Sequence, residues 1–424
     1  MRVTVAPGGV KGEVSAVPSK SHLHRLLICA ALCDAPTLVH SPPTAAEDIT
    51  ATIGCLSALG AKIERVAQGF AVTPIDRARL PAQATLPCGE SGSTLRFMLP
   101  VVAALGVTGR FELHGRLPQR PLAPLDAQLT GGGVRLSWEV PGVLRCEGKL
   151  APGEYTLPGN ISSQYVTGLL LALPLLEGES GLTVTPPIES EDYIAMTLDA
   201  MARFGLTPPL VDGRYQITGR AAFRSPGEVS AEGDWSNAAF WLCAGALPGG
   251  DIRCRGLSAS SSQGDREICE ILTRMGAQVS WEGDTLRVRE GERRGIEIDG
   301  RATPDLIPVL CVVAALSQGE TVVKNAARLR LKESDRLTAT AQTLNALGAK
   351  VTEEESGLRI QGVPRLAGGE ADSWGDHRIA MMAAIASAGC EGPVTITGGQ
   401  AVRKSYPSFW EELAALGKQV SGHE

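Results

Sequence analysis

The sequence has few aromatic residues, and none of its hydrophobic runs is long enough to cross a membrane. Phe, Trp and Tyr make up 4% of its 424 residues, so the core must consist mainly of Leu, Val, Ile and Ala. The longest apolar stretches, such as residues 166–176, contain Gly or Pro and fall short of the roughly 20 residues of a membrane span. Residues 1–9 lack the apolar segment of a secretory signal peptide. We therefore expect a cytoplasmic protein without a membrane partner.

An excess of positive charge and clustered metal ligands are also missing. The 40 Lys and Arg residues are outnumbered by 46 Asp and Glu residues, for a formal net charge of −6 at pH 7. This balance argues against a nucleic-acid partner, which requires a basic face to neutralise phosphates. The ten Cys residues include no Cys-x-x-Cys pair and no Cys/His cluster at zinc spacing. We expect reduced thiols that pack as small hydrophobic side chains, and no metal site.

A repeat organises the chain. A helix end, a glycine and an apolar strand recur together, with the glycine at positions 60, 133, 205, 276, 348 and 417. Successive glycines are about 70 residues apart, so six units account for the chain. Glycine suits this position because a left-handed helix cap favours a residue without a Cβ atom. The strand that follows often continues into a hairpin, as in residues 279–288 and 351–360.

A second marker recurs in phase with the first. Polar residues open a strongly apolar helix in each unit, at residues 19–21, 90–93, 162–164, 234–237, 303–305 and 375–377. These helices are hydrophobic all round, so they must be buried. Six buried helices satisfy burial as two groups of three, which predicts an α/β protein with two pseudo-threefold domains, buried parallel helices and outer sheets. A solenoid is the alternative use of six repeats, but units of this length exceed the usual repeats of about 20–50 residues.

Parallel buried helices would bring their N-termini to one end of each domain. Free N–H groups and the helix dipole make such an end attractive to anions, although each polar turn alone could be a simple helix cap. Basic residues lie beside these turns, at Lys20, Arg25, Arg96, Arg120, Lys332, Arg336, Arg378, Arg403 and Lys404. Because the guanidinium fork suits planar carboxylate and phosphate groups, we expect phosphorylated carboxylates as ligands.

The motifs at these turns resemble the 5-enolpyruvylshikimate-3-phosphate synthase family. They are Pro-Ser-Lys-Ser-His-Leu-His-Arg at 18–25, Glu-Ser-Gly-Ser-Thr-Leu-Arg at 90–96, Gln-Arg-Pro at 119–121, Ser-Ser-Gln at 162–164, Lys-Glu-Ser-Asp-Arg at 332–336, Asp-His-Arg at 376–378 and Arg-Lys at 403–404. The resemblance covers the chain nearly end to end. The motifs at 332–336 and 376–378 are the most specific, whereas Ser-Ser-Gln alone would be weak.

The resemblance implies transfer of the enolpyruvyl group of phosphoenolpyruvate to the 5-hydroxyl of shikimate 3-phosphate, with release of phosphate, in aromatic amino-acid biosynthesis. It also implies two domains, each with three βαβαββ units, that close on the substrates. No cofactor is implied, and we expect a monomer. With chain crossings near residues 17–18 and 225–227, the shikimate-3-phosphate side would be 19–226. The phosphoenolpyruvate side would combine 1–18 and 227–424.

Site residues follow from the same resemblance. The residues implied to hold shikimate 3-phosphate are Lys20, Ser21, Arg25, Ser162, Ser163, Gln164, Ser190, Asp305 and Lys332. Those implied to hold phosphoenolpyruvate are Lys20, Gly92, Arg120, Gln164, Arg336, Arg378 and Lys404. Asp305 would accept the hydroxyl proton, Glu333 and Lys20 would handle the other proton, and Lys404 or His377 would assist the leaving phosphate. His22 and His24 are expected to be structural.

Two other functions stay open. A UDP-N-acetylglucosamine enolpyruvyl transferase would share the fold, but that family pairs its first Lys with Asn, whereas Ser21 follows Lys20 here. It also carries a reactive Cys near position 120, and no Cys lies between 88 and 146. A non-catalytic anion-binding repeat protein would not need the proton-transfer groups Asp305, Glu333 and Lys404. The sequence departs from some relatives at three positions. Arg328 stands where they have an Asn that contacts the substrate, Glu191 where they have a basic residue, and Phe97 where they have Pro.

Overall fold

The computed structural model describes residues 1–42 and 44–423. The chain divides into two compact units, a first unit of Lys20–Ala231 and a second unit that combines Met1–Ser19 with the chain from Glu232 onward. The sequence predicted that the chain returns to the second domain at residues 226/227. The boundary between the units lies at 231/232 instead, because the short strand Glu228–Ser230 pairs in parallel with Thr37–His40 of the first unit.

The helices, in chain order over the described residues, are α1 (Lys20–Leu32), α2 (Glu47–Ala58), α3 (Gly92–Leu105), α4 (Leu125–Gly131), α5 (Ser163–Ala172), α6 (Glu191–Arg203), α7 (Trp235–Ala246), α8 (Ile268–Arg274), α9 (Ile307–Ala315), α10 (Arg336–Ala346), α11 (His377–Ala386) and α12 (Phe409–Ala415). Short 3-10 turns include Leu117–Gln119, Gly264–Glu267, Ala327–Leu331 and Gly399–Lys404.

The strands are β1 (Arg2–Val5), β2 (Lys11–Ser15), β3 (Thr37–His40), β4 (Lys62–Val66), β5 (Gly69–Thr73), β6 (Gln83–Gly89), β7 (Thr108–Leu113), β8 (Arg135–Val140), β9 (Val143–Glu147), β10 (Glu154–Pro158), β11 (Ser180–Thr185), β12 (Leu210–Val211), β13 (Arg214–Ile217), β14 (Glu228–Ser230), β15 (Asp251–Arg255), β16 (Gln278–Glu282), β17 (Thr285–Arg289), β18 (Glu297–Asp299), β19 (Glu320–Lys324), β20 (Lys350–Glu354), β21 (Gly357–Gln361), β22 (Gly369–Asp372), β23 (Val394–Thr397) and β24 (Val420–His423).

Within the described residues, the strands form six sheets of four strands with the same arrangement. In the sheet β6-β7-β9-β8, the first two strands are parallel and are joined through α3, and the last two form an antiparallel hairpin. This is the βαβαββ unit, and three such sheets belong to each compact unit. The predicted α/β class with three units per domain is confirmed.

Three strands come from positions distant in the sequence. In the first unit β14 pairs with β3. In the second unit β2 pairs in parallel with β15, and β1 lies between β23 and β24. The repeats in the sequence did not reveal these strand pairings, because the marker glycine and the polar turn of each repeat lie outside β1, β2 and β14.

The core of each unit is formed by its three apolar helices. Almost every residue of α1, α3 and α5 is buried in the first unit, and the same holds for α7, α9 and α11 in the second. The six marker glycines all have positive φ angles, from 78° to 106°, which explains their recurrence. No helix within residues 1–42 and 44–423 is long and apolar enough to span a bilayer.

Candidate active site

In the first unit, side chains join the N-termini of α1, α2 and α3. Nζ of Lys20, the first residue of α1, donates to Oδ2 of Asp48 at 2.6 Å. Oγ1 of Thr94, near the start of α3, lies 3.3 Å from the backbone oxygen of Asp48. The predicted gathering of helix starts is therefore present within this unit. Asp48 had no sequence signal, because it lies outside every recurring polar turn.

A buried hydrogen-bonded chain continues behind this cluster. Nδ1 of His24 and Oγ1 of Thr52 are 2.7 Å apart, and the same Thr52 atom is 2.7 Å from Oγ1 of Thr94. Thr94 in turn donates to Oγ of Ser91, which caps α3. Burial, helped by the positive charges of Lys20 and Arg25, holds the pKa of His24 well below its usual value. A neutral His24 thus ties α1 to the start of α3.

Arg25 is occupied by protein partners. Its Nε donates to Oγ1 of Thr197 at 2.8 Å, and its Nη2 donates to the backbone oxygen of Tyr193 at 3.0 Å. Its Nη1 donates to the backbone oxygen of Ser21 at 2.6 Å, and Nη2 also reaches Thr167. The guanidinium is buried, and burial lowers its pKa to about 10. These contacts hold α1 against α5 and α6.

The starts of α3 and α5 meet at Gln164. Nη1 of Arg96 donates to Oε1 of Gln164 at 2.6 Å, and Nε2 of Gln164 donates to Oγ of Ser93 at 2.9 Å. Arg120 lies close by, since a Cβ atom built on Gly92 would be only 2.7 Å from its Nη1. The structure thus brings together Gly92, Arg120 and Gln164, three of the residues implied to hold phosphoenolpyruvate.

Three predicted serines also lie at helix starts of the first unit. Ser162 immediately precedes α5, and Ser163 is its first residue. Ser190 immediately precedes α6, is buried, and has a φ angle of 56°. A positive φ is uncommon for a residue with a Cβ atom.

In the second unit, Asp305 lies among three cations. Its Oδ1 accepts from Nη1 of Arg336 at 2.7 Å, and its Oδ2 accepts from Nη2 of Arg378 at 3.0 Å. Nζ of Lys332 is 3.5 Å from Oδ1. Arg378 also reaches the backbone oxygen of Ser236 at the start of α7. These contacts join the starts of α7, α9, α10 and α11.

The charges in this cluster shift the ionisation of its members. Burial alone would raise the pKa of Asp305, but Arg378, Lys332 and Arg336 outweigh it and hold that pKa well below the usual value. Burial also lowers the pKa of Lys332 to about 8, against the opposing attraction of Asp305. At neutral pH both groups are therefore charged.

Arg336 is the centre of the cluster. In addition to Asp305, it donates from Nη2 to Oε2 of Glu333 at 2.8 Å and from Nε to Oδ2 of Asp376 at 2.8 Å. Asp376 also caps α11 through the amide of Arg378 at 2.9 Å. One guanidinium therefore fixes three carboxylates from three segments of the chain.

His377 and Lys404 lie at the start of α11 in the same unit. Nδ1 of His377 is 3.7 Å from Oδ1 of Asp376, and the imidazole is buried. Nζ of Lys404 donates to the backbone oxygen of Gly375 at 3.0 Å. The predicted residues Asp305, Lys332, Glu333, Arg336, His377, Arg378 and Lys404 thus surround the helix starts of the second unit.

Asp265 belongs to this cluster and was missed by the sequence reasoning. It is buried, and Oγ of Ser236 donates to its Oδ2. Burial and then the charge of Asp305 raise its pKa to about 7. The polar turn at 234–237 indicated this region, but no pattern connected it with residue 265.

A model of the family described as EPSP synthase (3-phosphoshikimate 1-carboxyvinyltransferase) matches residues 5–413. The chain belongs to the EPSP synthase family. A 3-phosphoshikimate 1-carboxyvinyltransferase of Clostridium acetobutylicum is 41% identical over 425 residues, with 99% of this chain and 98% of that protein covered. The corresponding protein of Clostridium kluyveri is 40% identical over 423 residues, with the same coverage.

Solved structures of EPSP synthase agree with this membership. The structure from Acinetobacter baumannii has a TM-score of 0.81 at 27% identity, and 99% of this chain and 100% of that chain are covered. The enolpyruvyl transferase NikO from Streptomyces tendae has a TM-score of 0.78 and covers 99% of this chain and 98% of its own. At 20% identity, NikO shows the fold alone. The family, the fold and the transferase class expected from the sequence are confirmed, and neither alternative function is favoured.

Proposed function

We propose that this chain transfers the enolpyruvyl group of phosphoenolpyruvate to the 5-hydroxyl of shikimate 3-phosphate, with release of phosphate, in aromatic amino-acid biosynthesis. The observation that carries the proposal is the position of Asp305 between Arg336 and Arg378, beside Lys332. Such a cluster offers a charged carboxylate to a hydroxyl and several cations to a phosphorylated carboxylate. Membership of the EPSP synthase family supports it.

Shikimate 3-phosphate would be held mainly by the first unit. In the proposal, the helix starts of this unit supply Lys20, Ser21, Arg25, Ser162, Ser163, Gln164 and Ser190, and the second unit supplies Asp305 and Lys332. Since Arg25 already donates to four protein groups, a direct contact would require one of these bonds to be exchanged.

Phosphoenolpyruvate would be held mainly by arginines. Arg336 and Arg378 of the second unit and Arg120 of the first would bind its carboxylate and phosphate through paired N–H donors. Lys404, Gly92, Gln164 and Lys20 complete the proposed set. Gly92 matters because the absence of a Cβ atom leaves space for the guanidinium of Arg120.

The reaction is an addition followed by an elimination, and both steps require proton transfer. Asp305 accepts the proton of the 5-hydroxyl as that oxygen bonds to C2 of phosphoenolpyruvate, and an acid protonates the C3 methylene. The group that protonated C3, now a base, then takes a proton back from the new methyl group, and the double bond is restored as the C2–O bond breaks and phosphate leaves. Lys20, Glu333 and Lys404 are the candidates for the acid, and Lys404 or His377 would assist the leaving phosphate.

Electrostatics would supply much of the rate enhancement. The tetrahedral intermediate keeps the carboxylate and phosphate of phosphoenolpyruvate, and arginines fixed in advance stabilise that charge. Because its cationic neighbours hold the pKa of Asp305 low, its ability to accept a proton depends on direct contact with the hydroxyl and on exclusion of water.

We further propose that the enzyme is a monomer of the cytoplasm without a nucleic-acid partner. The net charge of −6 supports the last point. Sedimentation of the purified protein at the concentrations used for assay tests the monomer, which would be contradicted by a dimer.

A phosphate-release assay tests the proposed reaction. The purified enzyme would be mixed with phosphoenolpyruvate and shikimate 3-phosphate together, with each alone, and with UDP-N-acetylglucosamine in place of shikimate 3-phosphate. We expect phosphate only when phosphoenolpyruvate and shikimate 3-phosphate are both present. Release with the nucleotide sugar would favour the other enolpyruvyl transferase, and binding without release would favour a non-catalytic protein.

A further inference from the structure

Arg330 lies two residues before Lys332 and outside the proposed site. It belongs to the 3-10 turn Ala327–Leu331, which leads directly into the segment that carries Lys332, Glu333 and Arg336. About a quarter of its side chain is exposed, at 28%. Surface arginines of this kind often contribute little, but the contacts of Arg330 are unusually numerous.

Arg330 connects this segment to the hairpin of β20 and β21. Its Nη1 donates to Oε1 of Glu353 at 2.6 Å. Its Nη2 donates to the backbone oxygen of Glu354 at 2.7 Å, and its Nε donates to that of Glu355 at 3.0 Å. Two of these acceptors are backbone atoms, one at the end of β20 and one in the turn that follows, so the contacts fix position as well as charge.

The same guanidinium reaches the start of α10. Nη1 of Arg330 donates to Oδ2 of Asp335 at 2.9 Å, while Oδ1 of Asp335 accepts the amides of Leu337 and Thr338 at 3.2 Å. Thr338 also donates to Oε1 of Glu353 at 2.9 Å. Arg330 therefore connects the hairpin both to the chain just before Lys332 and to the helix cap Asp335, on either side of Lys332.

We propose that Arg330 is a positioning residue for Lys332, and through it for the binding of shikimate 3-phosphate. The proposal rests on the proposed function. Lys332 needs such support because its nearest described charge partner, Asp305, is 3.5 Å from its Nζ. Arg336 needs it less, because Asp305, Glu333 and Asp376 all accept its hydrogen bonds. Removal of Arg330 should therefore affect shikimate 3-phosphate more than phosphoenolpyruvate.

Arg359 provides a matched control on the same hairpin. It is a partly exposed arginine of β21 that donates to Glu354 and to Glu320, and neither acceptor belongs to the segment 327–336. Arg359→Ala thus removes an arginine and its surface contacts from the same hairpin without releasing Lys332. Arg330→Lys is the second variant, since lysine keeps the charge but cannot make the planar set of bonds.

The experiment measures kcat and both KM values for the wild type, Arg330→Ala, Arg330→Lys and Arg359→Ala, with and without added methylguanidinium. For Arg330→Ala we expect kcat/KM for shikimate 3-phosphate to fall by about 10-fold to 100-fold, since misplacement by 1 Å can cost about 100-fold. The KM for phosphoenolpyruvate should change less, and methylguanidinium should restore part of the loss. Arg359→Ala should stay within about twofold of the wild type.

Equal kinetics for Arg330→Ala and Arg359→Ala would overturn the proposal, and so would a loss that methylguanidinium does not relieve. If Arg330→Ala does not fold, Arg330→Lys decides. A raised KM for shikimate 3-phosphate supports positioning by the planar guanidinium, and wild-type kinetics overturn it. An inactive wild type would instead contradict the proposed function itself.

Discussion

Nη1 of Arg336 lies 2.7 Å from Oδ1 of Asp305. The same guanidinium donates to Glu333 and Asp376, so the position of Asp305 is set by a network that includes the starts of α10 and α11. A carboxylate held in this way stays charged and keeps its orientation. Both properties suit a base that must meet one hydroxyl group of its substrate.

Replacement of Asp305 by Asn should remove the proton acceptor and leave the shape of the side chain. We expect kcat to fall by about 10²- to 10⁴-fold, the usual contribution of a general base. Phosphate release at saturating substrates gives kcat, and thermal unfolding checks that the variant is folded. Asp299→Asn, at an exposed carboxylate that pairs with Arg301, is the control. A folded Asp305→Asn enzyme with near wild-type kcat would exclude Asp305 as the base.

Lys332 should give the enzyme an alkaline limit. Because burial lowers its pKa to about 8, its positive charge is present below that pH and is lost above it. We expect KM for shikimate 3-phosphate to rise as the pH increases from 7 to 9.5. Lys332→Arg should move this rise to higher pH, since guanidinium keeps its charge, whereas Lys324→Arg at an exposed ion pair should not. The same pH dependence of KM in the wild type, Lys332→Arg and Lys324→Arg would refute a role for the charge of Lys332.

Gly92→Ala should weaken the binding of phosphoenolpyruvate. The added Cβ would be 2.7 Å from Nη1 of Arg120 and 3.2 Å from Nη1 of Arg96, so the flexible end of Arg120 must move while the fold is kept. We expect kcat/KM for phosphoenolpyruvate to fall by about 10-fold or more, as misplaced binding groups are costly. Gly131→Ala, where nothing lies within 4 Å of the new Cβ, is the matched control. Equal values for both variants would be evidence against Arg120 as a ligand.

Thr52→Val should destabilise the first unit. The hydroxyl of Thr52 is 2.7 Å from both His24 and Thr94, and valine would remove the partner of the buried Nδ1 of His24, whereas Thr94 keeps its contact with Ser91. We expect a loss of about 1–3 kcal/mol in the free energy of unfolding, measured by urea denaturation. Thr50→Val, at an exposed position on the same helix, should change the stability by about 0.5 kcal/mol or less. Equal losses for both variants would mean that the buried hydrogen bonds of Thr52 do not contribute to stability.

The sequence predicted those features that depend on local backbone geometry. The glycines at 60, 133, 205, 276, 348 and 417 recur because each has a positive φ angle, and the polar turns recur because Ser91, Asp234 and Asp376 cap buried helices. Both signals can be read from neighbouring residues.

Features that depend on distant contacts were not predicted. The pairing of β14 with β3 and of β2 with β15 joins strands that are far apart in sequence. Asp48 and Asp265 enter the clusters only through tertiary contacts with Lys20 and Ser236. The local sequence likewise gives no sign that Arg25 is enclosed by four protein acceptors, because those acceptors come from α1, α5 and α6.

A crystal structure with shikimate 3-phosphate and phosphoenolpyruvate bound to the Asp305→Asn variant is the most direct test of the proposed site. We expect one molecule of shikimate 3-phosphate within about 3 Å of Ser21, Ser163 or Gln164 and, at the same time, of Lys332 and residue 305. A substrate in contact with residues of only one unit would contradict the claim that both sets of helix starts act on a single reaction.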